Sequence, residues 1–186
     1  MVDQSARSRA LTDAELLLLG LVAEMPRHGY QLDREIELRG MREWTQIGFS
    51  SVYFVLGKLE KAGLISADEP AGAKARKTFK PTAAGRRTLA DETLAALSGY
   101  RPTYSSVLLG MIHWPVLERE QALGALTARG AAVDAELSRV EGIRADTQPL
   151  PDFVDALFEF SIGQLKTEAE WIDRTLDYMN AKPWLE

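Results

Sequence analysis

Residues 50–87 read SSVYFVLGKLEKAGLISADEPAGAKARKTFKPTAAGRR, and this stretch decides the fold. Its first third has helical spacing: Val52, Leu56, Leu59 and Gly63 fall on one apolar face. The opposite face carries Ser50, Phe54, Gly57 and Lys61, with Ser51, Tyr53 and Lys58 on its flanks. Ser50 reads as the N-cap after a break at Gly48-Phe49, and Gly63 ends the helix. Two short β-type segments follow, 64–67 and 77–80. The residues between them, 68–76, include Pro70, Gly72, Lys74 and Arg76, which predicts a hairpin loop. From Gly72 to Arg87 there are six basic residues (Lys74, Arg76, Lys77, Lys80, Arg86 and Arg87) and no acidic ones. Backbone phosphates favour such a patch, because each neutralised phosphate releases counterions. A basic run by itself usually marks a solvated loop. Placed directly after a helix with a polar and aromatic outer face, it points instead to a recognition helix and a wing.

The flanking sequence completes that arrangement. Thr12 and Glu15 form a capping-box pattern ahead of an apolar run, predicting a helix from Thr12 to about Met25 that stops at Pro26. A second helix is expected from His28 to about Arg39, with Gly40 at its C-terminal cap. After the hairpin, Thr82 caps a further helix that carries Leu89, Leu94 and Leu97 and ends near Gly99. Residues 1–99 therefore read as a winged helix-turn-helix domain.

Residues 100–186 show no strand signal. A short apolar helix is expected from Tyr104 to Trp114, ended by Pro115. Beyond it, Leu123, Leu126, Gly130, Val133, Leu137 and Val140 form one heptad seam. Phe158, Ile162, Leu165, Ala169, Ile172, Leu176 and Met179 form another, after breaks at Pro149 and Pro151. Two seams of this length fit an antiparallel helix pair. Phe153, Leu157, Phe160 and Trp171 lie partly off the seam, a surplus that suggests a partner subunit. The fold class is mainly α: a winged helix-turn-helix followed by an antiparallel helical dimerisation domain. Leu165, Ile172, Leu176 and Met179 are the expected dimer seam.

Apolar residues make up 46% of the 186-residue chain, enough for a real core. There is no cysteine, which excludes disulfides, thiolate metal sites and cysteine nucleophiles. The net charge of −5 is unevenly spread. Of 22 basic and 27 acidic residues, 14 and 13 lie in the first hundred, leaving +1 there and −6 beyond. His28 and His113 are the only histidines and make no metal cluster, and the serines have no base at a motif spacing. No cofactor, metal or catalytic activity is expected. The first residues show no signal-peptide pattern and no apolar run reaches membrane-spanning length, so a cytoplasmic protein without membrane contact is expected.

Several motifs, in order and at matching spacing over residues 11–98, resemble the PadR family of winged-helix transcription regulators. They are His28-Gly29-Tyr30-Gln31-Leu32, Ser50-Ser51-Val52-Tyr53, Leu56 with Leu59-Glu60, and Gly63-Leu64-Ile65. Arg76-Lys77-Thr78-Phe79 and Thr82-Ala83-Ala84-Gly85-Arg86 complete the set. The family usually has glycine at the place of Ser50, an aromatic at Thr78 and leucine at Pro81, so a shorter or looser wing is expected. The resemblance implies a structural role for His28, Gly29, Tyr30, Gly63, Thr82 and Gly85. It implies a homodimer that binds an inverted-repeat operator in double-stranded DNA as a regulator of transcription, read here as a repressor. Ser50, Ser51, Tyr53, Phe54, Lys58, Lys61, Lys74, Arg76 and Lys77 are the DNA-binding candidates. It also implies a small aromatic effector, for which Trp114, Phe158, Phe160 and Trp171 are the candidate pocket; the alternative for each of the four is core or dimer packing. The competing reading is a winged-helix module that binds proteins and not DNA, favoured by the acidic second half. A small hydrolase or metalloenzyme has no set of residues behind it.

Overall fold

The computed structural model describes residues 10–45, 47–68, 76–102 and 104–182, without the side chains of 43, 44, 49 and 50. The chain divides into two compact units, Met1–Pro102 and Thr103–Glu186.

The first unit contains α1 (Asp13–Glu24), β1 (Arg27–His28), α2 (Gly29–Leu38), α3 (Arg42–Thr45) and α4 (Phe49–Lys61). These are followed by β2 (Ile65–Asp68), β3 (Thr78–Pro81) and α5 (Ala83–Ser98). α1 starts where its capping box places it: Thr12 Oγ1 accepts from the Glu15 amide and the Glu15 carboxylate accepts from the Thr12 amide. Leu18, Leu19, Leu21 and Val22 pack with Leu32 and Ile36 of α2 and Val52, Val55, Leu56 and Leu59 of α4. Each fully buried side chain of this kind is worth about 1.5–3 kcal/mol. α2 and α4 both end in a Schellman turn, with Gly40 at φ 62° and Gly63 at φ 70°. In the second, Gly63 N–H donates to Glu60 O and Leu64 N–H to Leu59 O.

Two local readings are corrected. The N-cap of α4 is Gly48 rather than Ser50, and it offers no side-chain hydrogen bond. Gly63 is exposed rather than part of the buried face, because it forms the turn beyond the helix. α3 has no apolar period and was not legible. It is fixed by Arg42, which pairs with Asp33, with Glu37 at 2.9 Å and with the Ile47 carbonyl.

The sheet has three strands in the order β1-β3-β2, all antiparallel. β2 and β3 pair over four residues, from Ile65↔Pro81 to Asp68↔Thr78, so Pro81 does not shorten the described strands. β1 covers only Thr78 and Phe79, which leaves Pro81 with a neighbour on one side. A residue without an amide proton is tolerated at such a position. The turn between the strands, with Lys74, lies outside the described residues.

A cluster of charges ties α1 to α2. Arg27, nearly buried, donates to the Leu21 carbonyl at 2.6 Å and reaches Glu24 at 3.3 Å. Arg39 holds both Glu24 oxygens at 2.8 and 2.9 Å. That hydrogen bonding keeps the Glu24 carboxyl below its ordinary range, opposed by partial burial.

The second unit contains α6 (Ser106–His113), a 3-10 turn at Trp114–Val116, α7 (Arg119–Asp146) and α8 (Asp152–Ala181). α7 begins four residues before the first seam leucine, because Glu118 and Gln121 form a capping box there. The pair is antiparallel and is pinned at both ends. Arg119 at the start of α7 donates to the carbonyls of Met179 and Asn180 at the end of α8. Arg144 near the end of α7 makes two 2.8 Å bonds to Asp155 at the start of α8. Between them lie Arg129–Glu168 and Lys166–Glu141.

Two outcomes are expected. A Cβ at Gly85 would sit 1.9 Å from the Leu64 carbonyl oxygen, a backbone atom. Gly85→Ala should therefore cost on the order of 1–3 kcal/mol in denaturant unfolding; a shift near zero would contradict this packing. The second concerns acid. A carboxylate whose folded-state pKa is depressed stabilises above its unfolded pKa and ceases to do so as pH falls through the folded value. Glu24→Gln should lower stability at neutral pH by less than about 1 kcal/mol, since the pair is partly exposed. The difference from the wild type should vanish in melts well below the ordinary carboxylate value of 4.5.

Candidate nucleic-acid interface

α4 buries Val52, Val55, Leu56 and Leu59 and leaves a second face exposed. Tyr53 and Phe54 are 54% and 65% exposed, unusual for aromatic side chains on a helix that already owns a buried face. Gly57, Lys58 and Lys61 are exposed beside them, and Ser51 is half-buried. A Cβ at Gly57 would meet nothing within 4 Å. Lys58 Nζ stands 4.6 Å from the Phe54 ring centroid. Of the recognition-face candidates, Ser51, Tyr53, Phe54, Lys58 and Lys61 thus share one helix surface. Ser50 is on the same helix, with its side chain outside the described residues.

Three cations of the described wing, Arg76, Lys77 and Lys80, have partners within the chain. Lys77 Nζ lies 3.6 Å from Glu60 on α4. Lys80 pairs with Asp68 across the two strands at 2.6 Å. The Arg76 guanidinium lies over the ring of Tyr30, 5.2 Å from its centroid. The sequence reading places Arg76 and Lys77 at phosphates and assigns them no partner within the chain. The signals it passed over were Glu60 and Asp68, acids whose proximity depends on strand register.

The motif residues have physical roles. His28 is the N-cap of α2: its Nδ1 accepts from the Gln31 amide at 3.2 Å, and the Gln31 side chain accepts from the His28 amide at 3.1 Å. Gly29 leaves room for the Tyr53 ring, whose Cε1 would be 2.5 Å from an added Cβ. Thr82 caps α5 through Gly85 N–H and donates to the carbonyl of Gly63 at 2.7 Å.

Residues 18–91 match the model of the Transcriptional regulator PadR-like family. They form a PadR-like domain. The match runs from the middle of α1 to the middle of α5, and so includes α4 and both wing strands. Among solved structures, the chain superposes on Bacillus subtilis PadR in complex with operator DNA with a TM-score of 0.71 and 22% identity. That match covers 89% of this chain and 98% of that one. For the same B. subtilis protein in complex with p-coumaric acid the TM-score is 0.74 at 20% identity, covering 90% and 99%. A PadR-like transcriptional regulator from Bacillus cereus gives 0.67 at 16%, covering 91% and 99%. At these identities the likeness is one of fold, a PadR winged helix followed by C-terminal helices. No curated protein matches the chain.

The second unit distributes its candidates differently from the sequence reading. Phe160 and Trp171 line one groove of about 810 Å³ between α6 and α8, together with Leu108 and Met111. Trp114 is not part of that lining but packs against Ala122, Leu126 and Met179, and Phe158 is half-buried outside it. Ile172 and Met179 are buried within the chain, while Leu165 and Leu176 are half-buried; the Ile172 side chain lies against Gly130 of α7. Among the described residues no group of His, Asp or Glu is placed to hold a metal, and no helix is long and apolar enough to cross a membrane.

Proposed function

We propose that the chain is a cytoplasmic, non-enzymatic, homodimeric transcription regulator that binds an inverted-repeat operator in double-stranded DNA and acts as a repressor. The observation that carries this reading is the outer face of α4. Tyr53, Phe54, Lys58 and Lys61 stay exposed on a helix whose other face is buried, and a basic wing follows within the same PadR-like domain. In this reading α4 enters the major groove, with Ser50, Ser51, Tyr53 and Phe54 at base edges. Lys58, Lys61, Lys74, Arg76 and Lys77 neutralise phosphates. Operator binding by B. subtilis PadR supports it.

The second unit supplies the dimer. Leu108, Leu109 and Ile112 of α6 and Phe153 and Phe160 of α8 are each at least half exposed. Apolar side chains gathered in this way on a soluble chain mark an interaction surface. Since Ile172 and Met179 are enclosed within the chain, the partner meets the outer faces of α6 and α8, and the seam supports those faces from beneath. The groove beside Phe160 and Trp171 is the effector site of this reading. Its lining includes Glu159 and Glu168 and no basic residue, which suits an aromatic effector without an anionic group.

The pairing of Lys77 and Lys80 with acids favours the protein-binding module as a second reading. Exposed ion pairs are worth only about 0–1 kcal/mol, so they yield readily to phosphate and do not outweigh the face of α4.

Two measurements test the proposal. Sedimentation at micromolar concentration should give a dimer, and Leu109→Asp should shift it toward monomer; a wild-type monomer at every concentration contradicts the reading. Footprinting on a duplex selected from a random library should show two half-sites with centres about 34 Å apart or a multiple of it. On that duplex Lys77→Ala should weaken specific and scrambled binding alike and flatten the slope of log K against log salt by about 1. Phe54→Ala should change base preference with little effect on the slope. Failure of the wild type to retain any duplex at low salt rejects DNA binding in favour of the protein module.

A further inference from the structure

The tripeptide His28-Gly29-Tyr30 touches three parts of the first unit at once. His28 pairs with Thr78 at the root of the wing. Gly29 receives the ring of Tyr53 from α4. Tyr30, half exposed, stacks at 6.3 Å on the His28 ring with 27° between the planes, and holds the Arg76 guanidinium over its own ring. Arg76 is the first described residue after the wing turn, two residues before β3 begins. Among the described residues the ladder's last rungs are at Thr78, two residues beyond Arg76. Among the described residues the aromatic face of Tyr30 meets its guanidinium.

We propose that Tyr30 is a positioning residue for DNA recognition: its ring holds the Arg76 guanidinium in place beside the start of β3. The proposal rests on the DNA-binding reading and deepens it. A flexible arginine on a loop must lose side-chain freedom when it meets a phosphate. An arginine already seated on a ring has lost part of that freedom before DNA arrives. The ring attracts the cation through its face and leaves the N–H groups at the guanidinium edge able to donate to phosphate. Because Tyr30 and Gly29 are adjacent, the wing root and the Tyr53 ring are both referred to one short piece of backbone at the start of α2. This accounts physically for an aromatic side chain left half exposed at the first turn of a helix, where its burial would have contributed more to the core.

The test has two arms, both on the full chain. In the free protein, the Arg76 side-chain resonances should lie upfield under the Tyr30 ring current. They should return toward random-coil positions in Tyr30→Leu and stay shifted in Tyr30→Phe, with the melting temperature of each variant recorded beside them. Resonances that are unshifted in the wild type overturn the proposal, whatever the DNA does. In the second arm, binding to the selected duplex should weaken about two- to fivefold in Tyr30→Leu, the range expected of one exposed cation–π contact, and be rescued by Tyr30→Phe. In an Arg76→Ala background the same Tyr30→Leu change should have no further effect. Additive losses, or a Tyr30→Phe variant as weak as Tyr30→Leu, overturn the proposal by making Tyr30 an independent or hydroxyl-mediated contact. A wild-type chain with shifted Arg76 resonances that retains no duplex rejects the DNA-binding reading, and with it the positioning role, while leaving the ring contact itself demonstrated.

Discussion

The carbonyl of Leu64 is the point on which the arrangement of recognition helix and wing depends. It accepts from the Thr82 amide at 3.0 Å, and it lies so close to the Cα of Gly85 that no side chain fits between them. Leu64 is also the residue whose amide closes the Schellman turn of α4. One residue therefore joins the end of α4, the start of β2 and the first turn of α5. Gly63 at positive φ, Thr82 as cap and Gly85 without a Cβ are the three requirements of that junction. Loss of any one would leave the wing attached to α4 but not aimed by it.

Electrostatics sets the second constraint. A basic strip that had no partners within the free protein would repel itself, and this chain moderates that with Glu60, Asp68 and the rings of Tyr30 and Phe54. Each such contact is individually weak at an exposed site, on the order of 1 kcal/mol or less. That weakness suits a surface whose cations must be ordered in the free state and still exchange partners. In the charge cluster of Arg27, Glu24 and Arg39 the Arg27 guanidinium is buried and accounted for by a backbone carbonyl, so it belongs to the fold. The same residue types serve opposite ends according to burial.

In the second unit α7 and α8 form a long antiparallel pair. Its buried side chains are few and lie in a single file, among them Ala122, Leu126, Val133 and Val140 of α7 and Ile162, Ile172 and Met179 of α8. A file of that width leaves the outer faces to be covered or solvated. The ion pairs at the two ends of the helices fix their register, which a 3-4 repeat of small and large apolar residues specifies only modulo one heptad.

Sequence alone determined the periodic and punctuated features. The capping box at Thr12, the apolar face of α4, the glycine stops at Gly40 and Gly63, the cap at Thr82 and the two heptad seams follow from local physics, since each depends on residues within a few positions of one another. The family motifs were legible for the same reason, as fixed spacings within 11–98. What only the tertiary structure decided are the contacts between residues distant in sequence. β1 is a strand of two residues that exists because β3 lies beside it. α3 forms without any apolar period because Arg42 reaches back to Asp33 and Glu37. The wing cations found acids and rings whose nearness depends on strand register and on where α2 begins. Phe160 and Trp171 share a groove while Trp114 and Phe158 do not, because which part of α8 lies beside α6 is a long-range matter that no spacing rule encodes. Local hydrogen bonding and periodicity are written residue by residue, whereas proximity between elements is settled when their apolar faces are buried together.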